Sequence, residues 1–544
     1  MTAASRFFGR ALELPPAETT RVAVQRDLAV PMPDGVVLLA DRYAPPGPRR
    51  PLVLVRSPYG RRGPFGLAYG RLLAERGFQV LVQSCRGTFG SGGSLDPFNE
   101  RADGLATVAW LKDQPWYPGA FATAGPSYLG IVQWAIAAQA GQDLKAIAAQ
   151  ITTSDVAGAI YQGGAFSLET MLGWVDQVAH QERPLGLLRQ GQARRRLGPL
   201  LDRLPLGDLD RLATGHRVSY WQDWLAHDKP ADPYWAGRGS SDGVPEVTAP
   251  VSFVGGWRDV FLPGMLADYA ALVKAGHDPY LLIGPWRHTD QQVIGASVRD
   301  TLAWLRAHLL DDRSQLRPAP VRIFVGGCGE WRDLPGWPPP ARQQRWHLHP
   351  AHRLDPAPPG PGEPDGYTYD PADPTPSVGG PADHQGDAQP DNRQLESRPD
   401  VLTYTSRPIE ADVEIIGQVT AELFVRSSRQ HTDFFARLCD VDPTGRSTNI
   451  CDALARLTPA SPPAGADGVI RAEIALWPTA HRFLAGHRLR LQVSSGAHPR
   501  YARNTGTGEP LATATTLAAA RQEVYHDPAR PSAVILPVTS HASP

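Results

Sequence analysis

Residues 121–140 read FATAGPSYLGIVQWAIAAQA. A short apolar run leads into Gly125-Pro126-Ser127-Tyr128-Leu129-Gly130, and an apolar helical stretch follows. Two readings compete. Ser127 is either a nucleophile on a sharp strand-to-helix turn or a cap at a helix N-terminus. The pattern departs from G-x-S-x-G, because the second glycine lies three residues after the serine. The physical requirement is still met: small residues surround the serine, as a tight turn between a strand and a closely packed helix demands.

The surroundings favour the strand–turn–helix reading. Upstream, VVLLADRYAP, PLVLVRSPYG and FQVLVQSCRG read as strands, the last apolar enough for burial on both faces. LAYGRLLAERG reads as an amphipathic helix that stops at Gly77. ADGLATVAWLKDQ has helical period, with Leu105, Val108, Ala109 and Leu111 on or near one face. Alternating strands and helices predict an α/β core with a mainly parallel sheet covered on both faces. Strand signals return at APVSFVGGWRD and DPYLLIGPWRH, followed by the helix SVRDTLAWLRAHLLDD and the strand PVRIFVGGCGEW.

Between these two blocks the alternation stops. From about Ala146 to Val247 the chain holds helical, arginine-rich stretches such as LLRQGQARRRLGPLLDRL. After about Ala341 comes a Pro/Gly-rich connector, DPAPPGPGEPDGYTYDPADPTPSVGGPADHQGD. Short β-type runs follow (EIIGQVTAELFVRSS, DFFARLCDVD, VIRAEIAL, HRLRLQVSS, AVILPV), predicting a β-sandwich or jelly roll. The predicted domains are 1–145 with 248–340 as a discontinuous catalytic domain, 146–247 as a helical cap, and 341–544 as the β domain. At 544 residues the chain is long enough for several cores.

Composition narrows the function. A formal net charge of −1 gives no overall field to attract nucleic acid or an anionic membrane. Arginine supplies nearly all of the 54 basic residues; the lysines are Lys112, Lys145, Lys229 and Lys274. That bias reads as genome composition rather than a binding function. Cys85, Cys328, Cys439 and Cys451 are scattered without C-x-x-C spacing, so neither a zinc site nor a redox motif is readable. No apolar run reaches membrane-helix length, and the N-terminal stretch does not read as a signal peptide. The expectation is a cytoplasmic protein that needs no metal or organic cofactor.

A nucleophilic serine needs a base, and the base needs an orienting carboxylate. In α/β-hydrolases these follow in the order Ser, Asp or Glu, His, on loops after later strands. GGWRDVF puts Asp259 just past one strand, and GPWRHTD puts His288 just past the next. Asp290 is the rival carboxylate, only two residues from His288. His180, His216 and His227 fall in the helical segment, and His347, His349 and His352 beyond the sheet. An oxyanion hole is the third requirement. The Tyr128 amide follows the nucleophile, and Tyr59 lies in the loop after an early strand, where packing is an equal reading. Phe261, Tyr161, Phe166 and Trp174 are candidates to line an acyl pocket, with plain packing as the alternative for each.

These motifs carry a resemblance. RSPYGR, RGTFGSGG, ADGLATVAWLKDQPW, GPSYLG, GGWRDVF and GPWRH, then TDFFARLCDVDPTGRSTNICDALARL and SSGAHPRYARNTGTGE, occur in the order seen in one group of proteins. The chain resembles the serine hydrolases grouped with cocaine esterase, α-amino-acid ester hydrolases and X-prolyl dipeptidyl peptidases. The resemblance implies an α/β-hydrolase core, an inserted helical cap and a C-terminal jelly roll of galactose-binding type. It implies Ser127 as nucleophile, Asp259 and His288 as its partners, and an oxyanion hole from the Tyr59 hydroxyl and the Tyr128 amide. It also implies a small-molecule ester or amide substrate and leaves room for a homo-oligomer. Two departures matter. Ser84 stands where related sequences often carry Asp, and that position reads as loop support. Leu129 is not acidic, and no acidic cluster is placeable on the pocket, which favours a simple ester over an amino-acyl substrate. The rival readings are an X-prolyl peptidase, an acyltransferase with another acceptor, and a non-catalytic binding protein.

Overall fold

The computed structural model describes residues 3–47, 49–184, 186–381, 389–461 and 464–539. Packing divides the chain into two units. The first holds residues 1–159, 181–184 and 233–322; the second holds 160–180, 185–232 and 323–544. Most of the helical segment thus groups with the C-terminal β residues, whose part of the second unit starts at residue 323 rather than 341.

The first unit is built on a twisted sheet of strands β1 (Ala23–Pro31), β2 (Val37–Ala44), β3 (Leu52–Ser57), β4 (Gln79–Ser84), β5 (Phe121–Pro126), β6 (Leu144–Gln150), β7 (Val251–Arg258) and β8 (Tyr280–Arg287). Their order is β1-β2-β4-β3-β5-β6-β7-β8. β2 pairs antiparallel with β1 and β4. From β4 through β8 every pairing is parallel. Parallel strands need crossover helices, and helices on both faces bury the strands completely. Every residue of β3 and β4 is buried, as their near-continuous apolar runs predict. Val53, Val55, Val80, Val82, Ala122, Ala124, Ala146 and Ala148 share one core cluster with Leu302 and Leu305 of the crossing helix Gln291–Leu309.

Three details differ from the sequence expectation. β6 runs to Gln150 and sits inside the sheet between β5 and β7, so the α/β core continues past residue 145. Its run LKAIAAQ is mostly alanine, small enough for a crowded sheet centre but weak as a strand signal. In helix α1 (Arg101–Lys112) the buried face is Asp103, Gly104, Thr107, Val108 and Leu111, while Ala109 is exposed. The face is rotated because it turns polar groups inward: Asp103 pairs with Arg86 at 2.6 Å, and Thr107 accepts from Gln83 at 2.8 Å. Finally, the Pro/Gly-rich connector contains a strand, Asp365–Tyr369, paired with Ala520–Asp527. The connector's end, residues 382–387, lies outside the described residues.

The second unit is mainly antiparallel β structure. Val413–Ser427 pairs with Ile470–Phe483, and Thr432–Val441 lies between Ser447–Leu457 and Arg488–Ser494. All ten residues of Thr432–Val441 are buried. The same unit contains the helices Leu168–His180, Ala193–Leu201 and Ser219–Ala226.

Candidate active site

β5 ends at Pro126, and helix α2 (Tyr128–Ala137) begins one residue after Ser127. Ser127 itself has φ 57° and ψ −126°, a region that costs a non-glycine residue of order 1–3 kcal/mol. Surrounding contacts hold it there. The Ser127 amide donates to Gln150 O at 2.9 Å, and the Thr152 hydroxyl donates to Ser127 O at 2.8 Å. The Gly130 amide closes the turn onto Ser127 O at 2.8 Å.

The unusual glycine spacing has a steric cause. Gly125 has φ +143°, and a Cβ there would meet Leu129 Cβ at 2.5 Å. A Cβ on Gly130 would meet Thr152 Cγ2 at 2.4 Å and its Cβ and Oγ1 at 2.5 Å. The helix residue that needs to be bare is therefore the one facing Thr152, and that is residue 130. Leu129 packs back toward Gly125 and is fully buried. The side chain of Ser127 forms no cap bond to the helix, so the capping alternative falls away.

The sheet brings the expected partners to this turn. Asp259 follows β7 and His288 follows β8. His288 Nδ1 lies 2.7 Å from Asp259 Oδ2, and Nε2 lies 2.9 Å from Ser127 Oγ. A carboxylate can only accept, so it fixes the proton on Nδ1 and leaves Nε2 to accept the serine proton. Asp259 is 1 % exposed, and its other oxygen accepts the Phe261 amide at 2.8 Å. The rival Asp290 is engaged elsewhere: it accepts the Arg287 amide at 2.8 Å and pairs with the Arg287 guanidinium at 3.3 Å.

Tyr128 is the first residue of α2, and its amide is the one that follows the nucleophile. Its ring is buried, and its hydroxyl donates to Glu100 at 2.8 Å while accepting the Phe98 amide at 2.9 Å. Burial, with the Glu100 charge beside it, holds this phenol well above its usual pKa. Tyr59 sits in the loop after β3, partly exposed, with its amide donating to Ser57 Oγ at 3.1 Å. Its ring stacks on Phe65 at 5.2 Å and meets the Tyr128 ring edge-on at 6.5 Å. Phe261 is partly exposed and lies against the His288 ring at 5.3 Å.

The other pocket candidates belong to the second unit. Phe166 has no exposed surface, and Tyr161 is 3 % exposed with its hydroxyl donating to Trp224 O at 2.6 Å. Both are packed as core residues, the alternative role given to them by sequence. Trp174 is partly buried against Tyr220 and Trp224, each at 5.9 Å between ring centres. Cys85 is fully buried, and burial pushes its thiol well up, so it is no nucleophile. Ser84 accepts from Arg61 at 3.1 Å and its carbonyl accepts from Ser91, which gives it the loop-supporting place expected.

Sequence reading passed over Glu100 and Arg56. Arg56 is 2 % exposed inside the apolar run PLVLVRS, and its guanidinium pairs with Glu100 at 2.9 Å. The signal was present: an arginine in a strand buried on both faces demands a buried partner.

The chain is similar to known proteins along most of its length. Residues 34–290 match the family X-Pro dipeptidyl-peptidase (S15 family), and residues 314–535 match the X-Pro dipeptidyl-peptidase C-terminal non-catalytic domain. The cocaine esterase of Rhodococcus sp. is 31% identical over 95% of this chain and 98% of its own. A putative serine esterase of Mycobacterium bovis is 25% identical over 87% of this chain and 90% of its own. Among solved structures, an α-amino acid ester hydrolase has the same fold, with TM-score 0.81 at 23% identity over 97% of this chain and 98% of its own. A CocE/NonD family hydrolase of Staphylococcus aureus gives TM-score 0.70 at 15% identity over 95% and 94%. A sheet that carries this serine turn, and a relative nearly a third identical over 95% of the chain, lead to one assignment: the chain belongs to the serine hydrolase family of cocaine esterase and the S15 X-Pro dipeptidyl-peptidases.

Proposed function

We propose that the protein hydrolyses carboxylic esters of small molecules through an acyl-enzyme on Ser127, with His288 as general base and Asp259 as its orienting acid. The observation that carries this reading is the unbroken line from Ser127 Oγ through His288 to Asp259, at 2.9 and 2.7 Å. His288 takes the Ser127 proton as the oxygen attacks the ester carbonyl. The Tyr128 amide and the Tyr59 hydroxyl receive the developing oxyanion, each donor typically worth roughly 3–4 kcal/mol. The imidazolium returns its proton to the leaving alcohol. Water, deprotonated by His288, then releases the acid. Phe261, beside the imidazole, lines the acyl side. The role asks for no metal or organic cofactor.

The catalytic residues lie in residues 1–145 and 248–340 in this reading, with 146–247 as a cap and 341–544 as a non-catalytic jelly roll. The strand β6, which ends at Gln150, supports drawing the first boundary at about residue 150. Among the described residues no helix is long and apolar enough to cross a membrane. A cytoplasmic location and a homo-oligomeric state complete the proposal. An X-prolyl peptidase is the second reading, favoured by the family models that match both halves of the chain.

The test is hydrolysis of a p-nitrophenyl ester and of Gly-Pro-anilide by the full chain and by Ser127→Ala. The ester should be cleaved, the anilide spared, and Ser127→Ala inactive and unlabelled by a fluorophosphonate probe. Activity retained in Ser127→Ala refutes the serine mechanism; preferential anilide cleavage moves the substrate to peptides.

A further inference from the structure

Three buried groups outside the catalytic line converge beneath the serine turn. Arg56 is the penultimate residue of β3, three residues before Tyr59. Its Nη2 donates to Glu100 Oε2 at 2.9 Å, its Nη1 to Glu100 O at 3.1 Å, and its Nε to Gln83 Oε1 at 2.8 Å. Glu100 uses its remaining carboxylate oxygen to accept the Tyr128 hydroxyl at 2.8 Å. The Arg56 and Glu100 side chains are 1% and 3% exposed. The Tyr128 oxygen in turn accepts the amide of Phe98, whose φ of 71° is unusual for a bulky residue. Phe98 stacks on Tyr128 at 5.3 Å. Burying an ion pair is seldom a net gain in stability, since desolvation offsets the attraction. Its geometric effect is clear: it ties the strand that leads to Tyr59 to the side chain of Tyr128.

We propose that Glu100 is a positioning residue of the oxyanion hole: held by Arg56, it pins the Tyr128 side chain and so sets the spacing between the Tyr128 amide and the Tyr59 loop. The proposal rests on Ser127 being the nucleophile. Oxyanion donors act only when they are already in place for the transition state, and a displacement of about 1 Å can cost about a hundredfold in rate. The Tyr128 amide directly follows the strained Ser127, and the Tyr128 side chain is fixed by Glu100 at its hydroxyl and by Phe98 against its ring. The predicted signature is loss of transition-state binding with substrate binding preserved.

The experiment compares Tyr128→Phe, Glu100→Gln and the double variant in the full chain. Tyr128→Phe keeps the amide and the ring and removes only the anchored hydroxyl, so it carries the test even where Glu100→Gln fails to fold. Readouts are kcat and KM for p-nitrophenyl butyrate per serine titrated by fluorophosphonate, the inhibition constant of phenylboronic acid, and the melting temperature. Expected is a fall in kcat of about ten- to a hundredfold for Tyr128→Phe, with KM within about threefold and phenylboronate inhibition weakened in step with kcat. The double variant should be no slower than the slower single variant, because both remove one link. A lower melting temperature with kcat per titrated serine within about twofold of wild type would mean plain structural support and overturn the proposal. Multiplying effects in the double variant would also overturn it. Activity or labelling that survives Ser127→Ala fells the serine reading itself; a null result confined to Tyr128→Phe fells only the role of Glu100.

Discussion

Replacing Asp259 with asparagine should be among the most damaging conservative changes in the protein, and the structure says why. Asp259 Oδ1 accepts the Phe261 amide at 2.8 Å, and Oδ2 faces His288 Nδ1 at 2.7 Å. In Asp259→Asn the carbonyl oxygen belongs against the Phe261 amide. The opposite rotamer would set two donors against each other in a site that is 1% exposed, at a cost of about 1–3 kcal/mol. The carboxamide NH2 therefore points at Nδ1, which must accept, and the ring proton moves to Nε2. Nε2–H then donates toward Ser127 Oγ and can no longer take its proton. Loss of the correct tautomer and of a charge to stabilise the imidazolium lowers kcat by about 10⁴, equivalent to about 5 kcal/mol of barrier. The assay is p-nitrophenyl ester hydrolysis normalised to fluorophosphonate-titrated enzyme, with a thermal melt to verify folding. Asp290→Asn is the control: Asp290 binds Arg287, and its loss should slow turnover by less than about tenfold. An Asp259→Asn enzyme within about tenfold of wild type, or Asp290→Asn as the slower of the two, would refute the reasoning.

Two further outcomes follow from packing and burial. Gly130→Ala drives a methyl to 2.4–2.5 Å from Thr152, whose hydroxyl holds Ser127 O, so denaturant melts should show a loss of about 1–3 kcal/mol together with slower turnover; unchanged stability would contradict the contact. Asp268 is fully buried, and burial pushes its carboxyl up from 3.8 to about 7 although it accepts from Ser154. Between those values the folded protein holds a proton that the unfolded chain releases, so this group's contribution to stability falls as pH rises through that window and stays low above it. Asp268→Asn should flatten that dependence and be more stable than wild type at about pH 8, by up to about 4 kcal/mol; the same stability change between about pH 5 and about pH 8 in both proteins would rule it out.

Much of the site was legible because chemistry-bearing residues sit at strand ends in a parallel sheet. Ser127, Asp259 and His288 each follow an apolar run closely enough to be placed from sequence. What escaped depended on three-dimensional pairing. β1 was invisible because it is a largely exposed antiparallel strand at the sheet edge, with Asp27 at φ 56° and its apolar alternation broken by a bulge between Gln25 and Leu28. β6 was missed because a crowded central strand is filled here with alanine, which has no β signature. The face of α1 was misread because Asp103 and Thr107 point inward to polar partners that periodicity cannot foresee. Nothing local singles out Glu100 in DPFNER, residues 96–101; only the fold brings it to Arg56, 44 residues earlier.

The displaced glycine of the serine turn bears on how such sites are found and transplanted. Successive helix residues are about 100° apart around the axis, so moving a glycine by one position moves the bare patch to another side of the helix. Here the bare patch faces Thr152, two residues beyond β6, rather than the end of β5. The spacing between nucleophile and second glycine therefore encodes which neighbour crowds the helix, and a search that insists on one spacing passes over proteins whose crowding comes from the next strand. Grafting this turn onto another hydrolase would require its facing threonine to travel with it.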